Sequence, residues 1–171
     1  TWDVPLFLSG HLHVQHCKCS EDNRGIWEMV TASLATPSCK YAILTYRDDR
    51  SFLYRTQSLD VEAWAKKNQC TEEDLLNFKQ FQTPFLRRVF YNQAIASLNE
   101  VPELTDSERE QLYSLLKFHY YQGTAYQVQE PVRNDPAYEL WQEDGMATQQ
   151  GEYFRYILED GKRDYNRLEV N

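Results

Sequence analysis

Apolar positions recur with two different periods along this chain. Up to about residue 58 they alternate or fall in short runs, and beyond Asp60 they recur every three or four residues. The first run, Val4 to Leu8, ends at Ser9-Gly10 and reads as a short strand. Ile26 to Thr31 reads as a second, with Ile26, Glu28 and Val30 on one face and Trp27, Met29 and Thr31 on the other. Tyr41 to Tyr46 and Ser51 to Thr56 flank the polar segment Arg47-Asp48-Asp49-Arg50, which is the pattern of a hairpin. Pro37-Ser38 marks a turn ahead of it.

The second half reads as helices. Asp60 is placed to cap a short helix over Val61 to Lys67, and Thr71 with Asp74 resembles a capping box. Leu75, Phe78 and Phe81 follow at helical spacing. Thr83-Pro84 pairs a cap residue with proline at a first helical position, so a new helix is expected there, with the stripe Leu86, Val89, Phe90, Gln93 or Ala94, and Leu98. Thr105 with Glu108 forms a second box, ahead of Leu112, Leu115, Leu116 and His119. Asp135-Pro136 repeats the cap-then-proline pattern before Tyr138 and Trp141, and a last helix is expected near Gln149 to Glu159. Tyr165 to Val170 reads as an extended arm. The fold class is therefore α+β, with a β segment over 1–58 and an all-helical bundle over 59–171.

Composition narrows the function classes. The formal net charge of −8 repels phosphate backbones, so general nucleic-acid binding is not expected, and Arg87-Arg88 reads as a solvated helix face. No apolar stretch approaches the roughly 20 residues that span a bilayer. The spacings of Cys17, Cys19, Cys39 and Cys70 match no disulfide framework, so free thiols are expected, which leans toward a reducing, cytoplasmic setting. The chain opens at Thr1 inside an apolar run, and the expectation is a piece of a longer protein.

The chemistry is concentrated early. His11, His13 and His16 fall within six residues, with Cys17 and Cys19 directly behind. Imidazole is the commonest neutral metal ligand. On an extended chain, residues i and i+2 point to the same side about 6–7 Å apart. The ions of a two-metal hydrolase sit about 3.5–4 Å apart, so His11 and His13 could each hold a different ion of one pair. Gly10 lets the backbone turn and approach the metals closely. His16-Cys17-x-Cys19 carries three soft ligands in four residues and suggests a small zinc site, but no second ligand pair follows. A loop at the rim of an active site is the favoured placement for His16, Cys17 and Cys19. His119 reads as a core or boundary residue.

Gly10-His11-Leu12-His13 at the end of a short apolar strand resembles the last metal-ligand motif of calcineurin-like metallophosphoesterases. The segment Ile26 to Ala35 resembles their strand rising to a small-residue Ser-Leu turn, and the Tyr41 to Thr56 hairpin their closing β-sandwich strands. Gln57 to Ala65 and the helical remainder look similar to a bacterial subgroup that includes cyclic-nucleotide phosphodiesterase-like members. The resemblance implies a dinuclear enzyme that hydrolyses phosphomono- or phosphodiesters, cyclic nucleotides among the candidates. It implies two divalent ions (Mn, Fe, Zn or similar), which activate water and neutralise phosphoryl charge. His13 would ligate the first ion and His11 the second. The family's Asp-x-His, Gly-Asp-x-x-Asp and Gly-Asn-His motifs do not occur in the 171 residues, so this chain alone is expected to bind no ion firmly and to catalyse nothing. Its implied partners are a phosphoester small molecule and an N-terminal catalytic part of the same protein. The helical part would cap the active site or mediate a homodimer. The competing readings are a non-catalytic helical interaction module and a small zinc-binding domain.

Overall fold

The structure, a computed structural model, describes residues 5–20, 25–98, 107–143 and 148–170. Val4 and the Thr105–Glu108 box lie outside the described residues, as does the Leu98 side chain. The chain divides into two compact units. The first comprises Thr1–Gln82, Tyr121–Gly123 and Tyr165–Asn171, and the second Thr83–Tyr120 and Thr124–Asp164.

The first unit contains two three-stranded sheets. Strands β1 (Leu6–Ser9), β2 (His16–Cys19) and β3 (Trp27–Val30) form one, in the order β1-β3-β2. β1 runs parallel to β3 with Ser9 opposite Val30, and β2 runs antiparallel with Cys17 opposite Met29. β4 (Lys40–Tyr46) and β5 (Phe52–Ser58) form the expected hairpin, closed one residue wider than expected because Phe52, not Ser51, pairs with Tyr46. The tail does extend: it forms β6 (Arg167–Val170), antiparallel to β5. Period-two alternation decides which faces are buried. Cys17 and Met29 from the first sheet meet Phe52 and Tyr54 from the second around Tyr165, with Trp27, Ala42 and Leu44 packed against them. The two sheets thus share one apolar core.

Helix α1 (Val61–Lys67) has the expected cap, Asp60 Oδ1 accepting from Ala63 N at 3.0 Å. The Thr71–Asp74 box does not form. Helix α2 (Glu73–Leu76) is a single turn with Glu72 at its N-cap, and Glu72 and Asp74 spend their carboxylates on adjacent backbone amides. Pro84 does not start a helix either. It lies inside α3 (Phe78–Leu98). Proline forfeits its own N–H there, and the cost is tolerated because the turns on both sides continue the helix. The division between the units falls one residue ahead of it.

The second unit packs α4 (Ser107–Tyr121), α5 (Gln129–Arg133), α6 (Ala137–Glu143) and α7 (Gln149–Asp160) with the rest of α3. α5 and the short 3-10 turn Ala125–Gln127 have no counterpart in the expected elements. Leu86, Phe90 and Ala94 bury one face of α3, and Leu112, Tyr113 and Leu116 one face of α4. Asp135 caps α6 through Ala137 N at 2.9 Å, and Thr148 caps α7 through Gly151 N at 3.0 Å. Trp141 and Phe154 stack with ring centroids 4.9 Å apart at the centre of this core. Among the described residues no helix is long and apolar enough to cross a membrane.

Candidate metal centre

The segment Gly10 to His13 is held at both ends and free in the middle. Before it, Ser9 belongs to β1, and Thr31 N donates to Ser9 O at 3.4 Å. After it, Gln15 is fully buried and works as a hub. Its backbone N–H donates to Tyr121 O at 3.2 Å. Its side-chain amide donates to Tyr165 O at 2.8 Å and to the Tyr54 hydroxyl at 3.0 Å. Its Oε1 accepts from Ala32 N at 3.2 Å. A buried amide with every group satisfied fixes its neighbours firmly. The turn behind α4 is shaped to it: Gly123 has φ +69°, and a Cβ there would come within 2.8 Å of the Gln15 side chain.

Between these anchors His11, Leu12 and His13 are exposed, Leu12 to 68 %. The segment is not extended, which corrects the geometry assumed from spacing. His11 has φ 76° and His13 φ 58°, both left-handed. Leu12 N donates to Gly10 O at 3.0 Å, closing a three-residue turn around His11. The turn expected of Gly10 is therefore made by His11, and a Cβ on Gly10 would meet nothing within 4 Å. Two non-glycine residues in this region cost about 1–3 kcal/mol each, and such strain gathers at ligand clamps.

His16, Cys17 and Cys19 are not on a loop. They form strand β2, which corrects the expected loop. Strand alternation sends Cys17 into the core while its neighbour His16 lies against the Tyr165 ring, centroids 4.3 Å apart. Cys17 Sγ donates to Tyr165 O at 3.6 Å. Only Cys19 reaches a surface recess, beside Phe7, Lys18 and Glu28. Buried neighbours separated in this way do not converge on one zinc ion. None of the four cysteines is in a disulfide, as expected, and burial raises the Cys39 thiol above its ordinary range.

Described residues elsewhere offer no fuller metal set: none of them forms a group of three or more His, Cys, Asp and Glu side chains able to hold an ion. His119 is a half-buried boundary residue, its Nδ1 3.0 Å from Thr124 Oγ1, with burial and then the Arg87 charge lowering its pKa. Lys117 is a feature that sequence reading passed over. Its ammonium lies 5.0 Å from the Phe90 ring, 5.3 Å from Tyr113 and 5.2 Å from Tyr153. Burial pushes it down to about 8. The Tyr113–Lys117 spacing of four is the signal that announces this contact.

Comparison with curated proteins gives no match. Residues 60–164 match a family described as the C-terminal domain of cyclic nucleotide phosphodiesterase. The matched span opens at the Asp60 cap of α1 and closes just before Tyr165, so Gly10 to His13 lies outside it. It covers well over half of the 171 residues, and the chain therefore belongs to the family of the C-terminal domain of cyclic nucleotide phosphodiesterase.

Proposed function

We propose that this chain is the C-terminal part of a dinuclear-metal phosphoesterase whose substrates are phosphoesters of the cyclic-nucleotide class. The observation that carries the reading is the pair His11 and His13, exposed and left-handed on a turn anchored by Ser9 and Gln15. Family membership supports the phosphodiesterase part.

The described residues supply two imidazoles at this turn and no carboxylate to bridge two ions, so they do not complete a dinuclear site by themselves. In this reading the remaining ligands come from an N-terminal catalytic part of the same protein. The edge strand β1 supports that arrangement. Phe7 and Leu8 are each 57 % exposed on a strand paired in parallel, whereas parallel strands are ordinarily covered on both faces. Phe7 and Leu8, on opposite faces of β1, and Leu12 in the turn behind it are large apolar side chains left exposed. The role of this chain's own residues is then to hold: β1 and Gln15 position the turn, and the turn presents two imidazoles at one wall of the site. Two bound divalent ions would supply an activated water and neutralise phosphoryl charge.

The test is hydrolysis of bis(4-nitrophenyl) phosphate by the full-length parent with Mn²⁺. His11→Ala and His13→Ala are each expected to lower turnover by more than about 100-fold, since even outer partners of metal ligands cost about 10- to 100-fold. Circular dichroism should be unchanged, because both side chains are exposed. A parent without metal-dependent hydrolysis, or variants as active as the wild type, overturns the reading.

A further inference from the structure

We propose that the groove between α3 and α4 binds a small organic phosphate of about mononucleotide size. This site is separate from the His11–His13 turn and does not depend on the reading given for it.

Thr83, Arg87 and Tyr91 recur every four residues along one face of α3, with Arg88 beside them. Gln111 and Ser114 face them from α4. Together they line a cavity of about 390 Å³, within the roughly 300–1,000 Å³ of ordinary small-molecule sites. Ser114 Oγ donates to Arg87 O at 2.5 Å and ties the two helices together at this point.

Charge identifies the ligand class. The chain as a whole carries −8, yet the charged residues lining this cavity, among those described, are two arginines. Arg87 is half-buried, and its Nε is cut off from solvent with no hydrogen-bond partner. No ion pair links Arg87 or Arg88 to a described carboxylate. A guanidinium carries several N–H donors in one plane, and an oxyanion is the group they pair with best. Two guanidiniums with a hydroxyl and an amide suit a tetrahedral phosphate, whose oxygens accept several donors at once. Glu110 is engaged by the Tyr91 hydroxyl, and the Tyr91 ring forms a wall of the groove, suited to a flat apolar group. A second recess shares Arg87 and Gln111 but also contains Asp135, which disfavours an anion there.

The 171-residue chain can be titrated with 5′-AMP, adenosine and inorganic phosphate while backbone amide NMR shifts are followed. The expected result is saturable AMP binding centred on residues 83–91 and 111–114, weaker binding of phosphate and no saturation by adenosine. Arg87→Gln and Arg88→Gln should each weaken AMP binding by about tenfold or more, the worth of a charge-assisted contact. Arg88 is exposed, so Arg88→Gln leaves the fold intact and decides the matter if Arg87→Gln unfolds. No AMP binding at about 10 mM, the millimolar limit of weak recognition, overturns the proposal. So does equal binding of adenosine, equal binding of bare phosphate, or wild-type affinity in Arg88→Gln.

Discussion

Trp141→Ala is expected to cost this chain about 3–5 kcal/mol of stability, the usual toll for emptying an aromatic site in a packed core. Trp141 is fully buried between Phe154, 4.9 Å away and nearly coplanar at 8°, and Tyr113, 5.7 Å away. Its indole N–H also donates to Arg109 O at 3.0 Å, and the Arg109 guanidinium lies 6.0 Å from its ring. Truncation removes the stacking on both rings, the indole hydrogen bond and one of the largest apolar volumes in the second unit. Urea denaturation followed by circular dichroism measures the loss. Tyr126→Ala, at an exposed position of the 3-10 turn, is the matched control and should change stability by less than about 0.5 kcal/mol.

Gln15→Leu should be nearly as damaging, by about 3–5 kcal/mol, although it exchanges residues of similar volume. The mechanism is different. Leucine leaves Ala32 N–H, Tyr165 C=O and the Tyr54 hydroxyl without their Gln15 partner in a buried setting, at about 1–3 kcal/mol for each group left unmet. Tyr54 keeps a hydrogen bond to Thr31 Oγ1 at 3.0 Å and Tyr165 O keeps the Cys17 thiol at 3.6 Å, so the Ala32 N–H carries the largest share. Hydrogen exchange gives the specific readout: the Ala32 amide should lose its protection in Gln15→Leu, whereas the β4–β5 ladder exchanges at a rate set by overall stability. Unchanged protection at Ala32 would show that Gln15 is not the anchor of the His11–His13 turn.

Local chemistry explains which parts of this architecture are legible in the sequence. Asp60, Asp135 and the Tyr41–Thr56 hairpin announce themselves because a cap or a polar loop between β-rich runs is determined by nearest neighbours. Strand β2 does not. Its four residues, His-Cys-Lys-Cys, carry no apolar alternation, and His16 is buried by the Tyr165 ring arriving from the far end of the chain. Pro84 misleads for the opposite reason, since the cap-then-proline rule is local and the continuous helix is set by packing on both sides.

The candidate site divides in the same way. That His11 and His13 are candidate metal ligands is visible from residue types alone. That His11, rather than Gly10, makes the turn is not, because left-handed backbone at a histidine is imposed by the anchors on either side. Arg87 looks like a solvated charge in sequence, and only the face of α4 opposite it turns it into a cavity wall.

Metal content of the full-length parent tests the central claim most directly. If His11 and His13 ligate different ions of a pair, wild-type protein dialysed against Mn²⁺ should retain two ions per chain, and each of His11→Ala and His13→Ala should retain about one under the same dialysis, as loss of a ligand weakens the ion it holds by more than the 10- to 100-fold cost of an outer partner. Two ions retained in both variants would contradict it.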